Sequence, residues 1–328
     1  MTSPRFDILG IGNAIVDVVA RADDAFLSKH NMRKGAMRLI DAVAAEKLYS
    51  AMPPGQESSG GSVANTCAIA AGLGARVAYL GKVAEDQLGE VFRHDITNAG
   101  VHFPTSALKD GVPTARCLIL VTSDGQRTMN TYLGACVAFG ISDLDDALIN
   151  DSAILYLEGY LFDPPAAQAA FRRAAAMARQ AGRRVALSLS DAFCVDRHRA
   201  AFRDLLTGGV DMLFANEAEI SSLYECNTFA EAMEHARWDV PLAALTRSEA
   251  GSVIIKGSET YPIAAEPARV VDTTGAGDAY AAGFLAGFAA GRSLPSCGSL
   301  GSLCAADTIA DYGARPWQPF QLDADESF

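Results

Sequence analysis

Short runs of branched aliphatic residues alternate with alanine-rich stretches along most of the chain. "FDILGIG" (6–12), "RVAYLGKV" (76–83), "SAILYLEGY" (152–160), "RVALSLS" (184–190), "VDMLFAN" (210–216), "LAALTRS" (242–248) and "SVIIKG" (252–257) read as strands. Nearly continuous apolar runs of this length suit strands buried on both faces. Helices are predicted over 60–74, 86–100, 164–182 and 217–225; Pro164 and Pro165 open the third and Gly182 closes it. The β-α-β-α rhythm implies a mostly parallel central sheet with helices on both faces, a three-layer α/β/α domain. Two regions, about 14–41 and 115–133, break the rhythm and read as antiparallel strands. "SDGQ" at 123–126 is a hairpin turn between two of them. They predict a small β-sheet lid, discontinuous in sequence, on a single domain spanning 1–328. The final "LDADESF" reads as a loose tail.

Composition narrows the partners. Half of the 328 residues are hydrophobic, enough for a large core. There are 27 basic and 39 acidic residues, for a net charge of −12. That balance argues against nucleic acid or an anionic membrane as main partner, since both require a basic surface. The longest apolar stretch near the C-terminus, 279–290, is too short to span a bilayer, which takes about 20 residues. Seven scattered cysteines without a C-x-x-C pair suit reduced thiols, and no export signal opens the chain. The expectation is a cytoplasmic protein, monomer or homodimer, with small-molecule partners.

The strongest chemical signal is "RVVDTTGAGDAYAAGFLAG" (269–287). Gly275, Ala276 and Gly277 can turn successive N–H groups together at the start of a helix, forming an anion hole without basic side chains. Asp278 falls in the first turn, where the helix dipole favours its charged form. It is placed to accept a proton from an attacking alcohol. Helix capping is the plainer alternative for Asp278, and close helix packing for Gly283 and Gly287. Other signatures fail: "GIGNAI" (10–15) lacks the third dinucleotide-binding glycine, no P-loop occurs, and the five histidines do not cluster.

"DTTGAGDAYAAGF" (272–284) resembles the signature of the phosphofructokinase-B/ribokinase superfamily of small-molecule kinases. "SGGSVANTCAIAAGLG" (59–74) is similar to its glycine-pair element, and "NEAE" (216–219) to its N-x-x-E element. Within that superfamily the chain looks most like the adenosine kinases, through "GNAIVD" (12–17), "PTARC" (113–117), "GQRTMNTYLGA" (125–135), "YLEGYLFD" (156–163), "ALSLSDAF" (186–193) and "VDMLFANEAE" (210–219). It departs from ribokinases at Ser62-Val63-Ala64-Asn65-Thr66, which disfavours a plain pentose. It departs from adenosine kinases at Met37, Arg38, Met129 and Thr131.

The resemblance implies a ribokinase-like fold, ATP as phosphoryl donor with Mg2+, and the 5′-hydroxyl of adenosine as acceptor. Sugar, guanosine or inosine kinases of the same superfamily are the alternatives, and a non-catalytic nucleotide sensor the alternative of another class. Asp278 resembles the general base and Arg127 a lid arginine that swings toward the moving phosphoryl; an exposed hairpin charge is the alternative for Arg127. Asp17 resembles the carboxylate that accepts from two ribose hydroxyls, a cis-diol contact that suits an ionised acid. Gly60 and Gly61 would admit the sugar, Asn65 would bind a hydroxyl, and Asn13 would touch sugar or base. Phe162 and Phe193, just past strand ends, would wall a purine, or else pack in the core; Cys117 and Met129 would meet the base edge, or pack within the lid. On the donor side, Glu219 would hold magnesium through water beside Asn216, the alternative being a capping pair. Thr246 and Gly251 would approach the phosphates. Asp272 and Thr274 resemble a monovalent-cation loop, for which potassium is the candidate.

Overall fold

The computed structural model describes residues 3–316; the expected C-terminal tail lies outside them. Among these residues, nine strands form a large sheet. They are β1 (Phe6–Ile11), β5 (Val77–Leu80), β6 (Val101–His102), β9 (Ser152–Glu158), β10 (Arg184–Ser188), β11 (Met212–Asn216), β12 (Leu242–Thr246), β13 (Ser252–Lys256) and β14 (Glu259–Ile263). Five more form a smaller sheet: β2 (Ile15–Arg21), β3 (Met37–Leu39), β4 (Gln56–Gly60), β7 (Ala115–Val121) and β8 (Arg127–Tyr132). The helices are α1 (Asp24–Lys29), α2 (Ala42–Ala51), α3 (Ser62–Gly72), α4 (Gln87–Asn98), α5 (Asp146–Asn150), α6 (Pro165–Gln180), α7 (Ala192–Thr207), α8 (Glu217–Tyr224), α9 (Phe229–Asp239), α10 (Ala276–Ala289) and α11 (Leu294–Ile309).

The large sheet runs β14-β13-β12-β11-β10-β9-β1-β5-β6, parallel from β12 to β6 and antiparallel only at the β12-β13-β14 edge. One core packs α3, α10 and α11 on one face; a second packs α6 to α9 on the other. β9 is buried at six of its seven positions, because a parallel strand between helical layers meets no water. From β1 the chain moves first to β5 on one side and later to β9 on the other. The switch point therefore lies between the carboxyl ends of β1 and β9, where open α/β sheets leave a crevice.

The smaller sheet contains the two regions that break the rhythm, but its pairing is mixed rather than antiparallel. The β7–β8 hairpin is antiparallel as expected, whereas β2 pairs parallel to β7 and β3 parallel to β8. Long crossovers join these strands, so turn chemistry does not dictate their direction. β4 was not expected: "QESSG" carries too few apolar residues to announce a strand, and pairing with β2 makes it one. Strand alternation then sorts the faces. Val16, Val18, Leu118 and Leu120 join the main core, while Asp17, Cys117, Arg127 and Met129 share the opposite face.

Candidate active site

The Gly275 turn meets its expected geometry. Gly275 has φ of 77° and caps α10, a left-handed conformation that suits glycine. The fit behind it is tight, since a Cβ there would lie 2.4 Å from the Ala314 carbonyl oxygen. Around Gly277 there is open space, with nothing within 4 Å of a built Cβ. The Ala276 N–H turns back on the Thr273 carbonyl at 3.3 Å. That weakens the expectation that it serves an anion. The amides of Gly277 and Asp278 belong to the first turn, where helix geometry supplies no acceptor.

Asp278 sits half-buried at the mouth of α10. The Ser62 hydroxyl donates to its Oδ1 at 2.6 Å and the Asn65 Nδ2 to its Oδ2 at 3.2 Å. These contacts and the Arg315 charge favour ionisation, but burial outweighs them and pushes the carboxyl up to about 6. The helix dipole does not keep it strongly acidic as the sequence suggested. A carboxylate of this basicity is better suited to accept a proton near neutral pH.

Asp17 lies in the middle of β2, opposite Ser58 and Cys117. Burial raises it to about 6 against the pull of Arg315 and Arg127, and Asp278 also acts on it. Gly60 makes room for it: a Cβ at position 60 would stand 2.4 Å from the Asp17 carboxylate. Gly61, with φ of 100°, presses on the Asn13 carbonyl and opens α3. Asn13 is buried with its side-chain nitrogen committed to Glu158 at 2.7 Å.

Glu158 was missed in the sequence. It ends β9 at the switch point, 1 % exposed, and accepts from the Asn13 main chain, the Asn13 side chain and the Val63 N–H. Burial raises it to about 7. It thereby clamps the end of β1 to the start of α3. A glutamate closing an apolar strand was the available signal.

Phe162 takes its core-packing alternative. The ring is fully buried, stacked on Phe202 at 4.5 Å and packed near Phe171, so it walls no open cleft. The 3-10 turn Gly159–Phe162 sends Leu161 and Phe162 inward and leaves Tyr160 38 % exposed, in the field of Asp278, Glu219 and Glu158. Phe193 is 76 % exposed at the start of α7. Cys117 is buried, with the Thr131 hydroxyl donating to its sulfur, and Met129 is half-buried on the same face.

Asn216 and Glu219 form the capping pair at α8. The Glu219 N–H donates to Asn216 Oδ1 at 2.9 Å; Asn216 donates back through its main chain at 3.0 Å and its side chain at 2.6 Å. Burial raises Glu219 to about 7. With both oxygens accepting from Asn216, Glu219 fits a magnesium ion approached through water better than one bound directly. Thr246 ends β12 in register with Asn216 on β11. Gly251, with φ of 80°, admits the Ile263 carbonyl from β14, so its close approach serves the fold.

Asp272 is a hub. Its Oδ1 accepts from the Thr274 N–H and hydroxyl, and its Oδ2 from the Gly313 N–H at 2.9 Å. It also pairs with Arg127, which crosses from the smaller sheet. Arg127 is buried rather than exposed on its hairpin, and its Nε has no hydrogen-bond partner. The guanidinium keeps donor capacity for an anion.

The fold and the proteins that share it define a phosphotransferase with an alcohol acceptor. The chain belongs to the pfkB family of carbohydrate kinases, whose profile matches residues 35–320. Its ribokinase-like fold is shared with solved structures. Adenosine kinase from Sinorhizobium meliloti is 53 % identical, with a TM-score of 0.89 covering 96 % of this chain and 97 % of that one. A probable sugar kinase from Rhizobium etli is 51 % identical, with a TM-score of 0.90 covering 96 % of each chain. Adenosine kinase of Saccharomyces cerevisiae is 28 % identical over 336 residues, spanning 95 % of this chain and 96 % of the yeast enzyme. Among the described residues, no helix is long and apolar enough to cross a membrane.

Proposed function

We propose that the protein is a nucleoside kinase that transfers the γ-phosphoryl group of ATP to the 5′-hydroxyl of adenosine. The observation that carries this reading is that two half-buried carboxylates from different parts of the fold come within reach of each other's charge. Asp17 comes from the smaller sheet and Asp278 from the mouth of α10, close enough for the Asp278 charge to raise Asp17. A ribose whose two hydroxyls donate to Asp17 would extend its 5′-oxygen toward Asp278. Asp278 takes the hydroxyl proton as the new O–P bond forms and the bond to the leaving ADP oxygen breaks. The amides of Gly277 and Asp278 hold the moving group, and Arg127 adds charge. Magnesium, when bound with the donor, neutralises phosphate charge, and Glu219 would order its water shell. Positioning and charge stabilisation carry such a transfer. The smaller sheet acts as the lid that excludes water. Tyr160 and Phe193 are the aromatic groups placed to meet a base; Cys117 and Met129 line the lid face above Asp17.

The likeness to the Sinorhizobium adenosine kinase supports the adenosine reading, and the likeness to the probable sugar kinase from Rhizobium supports a sugar acceptor as the second. An ADP-release assay across nucleosides and sugars tests both. Adenosine should give the highest kcat/KM, and turnover of a hexose or pentose but no nucleoside would overturn the assignment. Asp17→Ala should raise the KM for adenosine on the order of 100-fold, the value of two hydrogen bonds to a charged acceptor, and change kcat less. An unchanged KM would remove Asp17 from the ribose site. Arg127 also bears on the donor: Arg127→Met should lower kcat roughly 10- to 100-fold, through loss of charge near the phosphoryl group. Steady-state kinetics with saturating ATP measures this.

A further inference from the structure

Beyond the pull of its charge on Asp278 and Asp17, Arg315 also makes contacts that join distant parts of the fold. It lies on the segment that follows α11, far in sequence from every group it touches. Its Nε donates to Asn65 Oδ1 at 2.9 Å, its Nη2 to Ser59 Oγ at 3.0 Å and its Nη1 to Asp95 Oδ2 at 3.3 Å. Its side chain is 20 % exposed. Two residues earlier the Gly313 N–H donates to Asp272, and Ala314 backs the Gly275 turn. One short stretch thus touches the anion-hole turn, α3, α4 and β4.

We propose that Arg315 is a positioning residue of the acceptor site, which aims the Asn65 amide at Asp278 and so fixes the orientation of that carboxylate. The inference rests on reading Asp278 as the base. An asparagine amide can present either end, but a guanidinium only donates. Arg315 therefore captures Asn65 Oδ1 and leaves Nδ2 for Asp278 Oδ2. Ser62 holds the other Asp278 oxygen, so the carboxylate is fixed from two sides. Charge acts in the same direction. Asp17, Glu158 and Glu219, with the phenols of Tyr156 and Tyr160, all interact with Asp278 through space. Against these acids Arg315 is a cation that lowers both Asp278 and Asp17. It also accounts for Asn65, whose amide is engaged by protein at both ends rather than waiting for a sugar hydroxyl.

The test compares Arg315→Met and Arg315→Lys with the native chain in two measurements. The first follows the Asp278 carboxyl by 13C NMR titration of the intact protein, assigned by its loss in Asp278→Asn. The second follows kcat and KM against pH for whichever acceptor turns over. In Arg315→Met the Asp278 midpoint should rise by about one pH unit. The acid limb of kcat/KM should move with it, giving roughly tenfold lower kcat/KM at pH 5. At pH 8, where the carboxyl is ionised in both proteins, the remaining loss should fall on kcat more than on the acceptor KM. Arg315→Lys should restore most of the midpoint without the full kcat, because an ammonium cannot reproduce the three-way fork. An unmoved midpoint and acid limb, with only a lowered melting temperature, would make Arg315 a structural brace and overturn the proposal. If the substrate panel shows no nucleoside turnover, the adenosine reading falls, and the carboxyl titration still decides the role of Arg315.

Discussion

Asp278→Asn should lower kcat by roughly 10³-fold, within the range that a positioned general base contributes. The substitution keeps the shape of the side chain, and its amide oxygen can still accept from Ser62. Nucleoside affinity should therefore change little, because the lost interaction forms only as the proton moves. The native enzyme supplies a second readout. Burial raises Asp278 to about 6, and the base acts only when ionised. kcat at saturating nucleoside should fall tenfold per pH unit below about 6 and level off above it; the variant should lack that limb, while the Asp17 ionisation, also near 6, shows in KM. The stability sign is opposite to that of a salt-bridged acid. A carboxyl raised in the folded state binds its proton more tightly there than in the unfolded chain. Its ionisation therefore costs stability as pH climbs from its unfolded value through about 6. Asp278→Asn removes that cost but sets its new amide N–H against the Asn65 Nδ2 donor, so at pH 7 the two effects oppose and the melting temperature should change by only a few degrees. An active Asp278→Asn enzyme, or a stable one with an unmoved acid limb, would take Asp278 out of the chemistry.

Gly277→Ala should separate folding from catalysis. Position 277 lies in the first turn of α10 with a helical φ and open space around a built Cβ. Alanine favours helix over glycine by about 1 kcal/mol, so the melting temperature should hold or rise. The new methyl nevertheless stands where the phosphoryl group must approach the Gly277 and Asp278 amides. Displacing that group from its donors should lower kcat/KM for ATP on the order of 100-fold, comparable to losing one oxyanion-hole donor. Gly275→Ala is the contrasting control. A Cβ there meets the Ala314 oxygen at 2.4 Å on a backbone with φ of 77°, so the loss of activity should come with loss of stability. Wild-type kinetics in a folded Gly277→Ala protein would show that the phosphates do not dock at this turn.

How much of the site was legible can be judged residue by residue. Asp278 and the glycine turn were readable because a tight turn entering a helix needs glycine, and a carboxylate three positions into that helix has a defined place. Asn216 and Glu219 read as a donor-site pair with helix capping as the alternative, and the structure shows the capping contacts. Phe162 was misjudged. A strand end followed by aromatics does not reveal which ring a 3-10 turn will send inward; Tyr160 is the ring left facing out. β4 was invisible because its residues become a strand only by pairing with β2. Glu158 could be suspected only as a polar end to an apolar run. Arg315 gave no signal, since its partners lie more than 200 residues away.

By itself the sequence determined the alternation of strands and helices, the parallel sheet, the glycine turn before α10 and the chemical type of its acid. These follow from local periodicity and backbone freedom, which act over a few residues. The tertiary structure alone decided the parallel pairing within the smaller sheet and the meeting of Asp17 with Asp278. It also decided the crossing of Arg127 to Asp272 and the return of Arg315 to Asn65. Burial then set the proton affinities of Asp17, Glu158, Glu219 and Asp278, raising all four against their local contacts. The physical reason is the same in each case: desolvation and long-range pairing depend on what the rest of the chain brings alongside, and no local pattern encodes it.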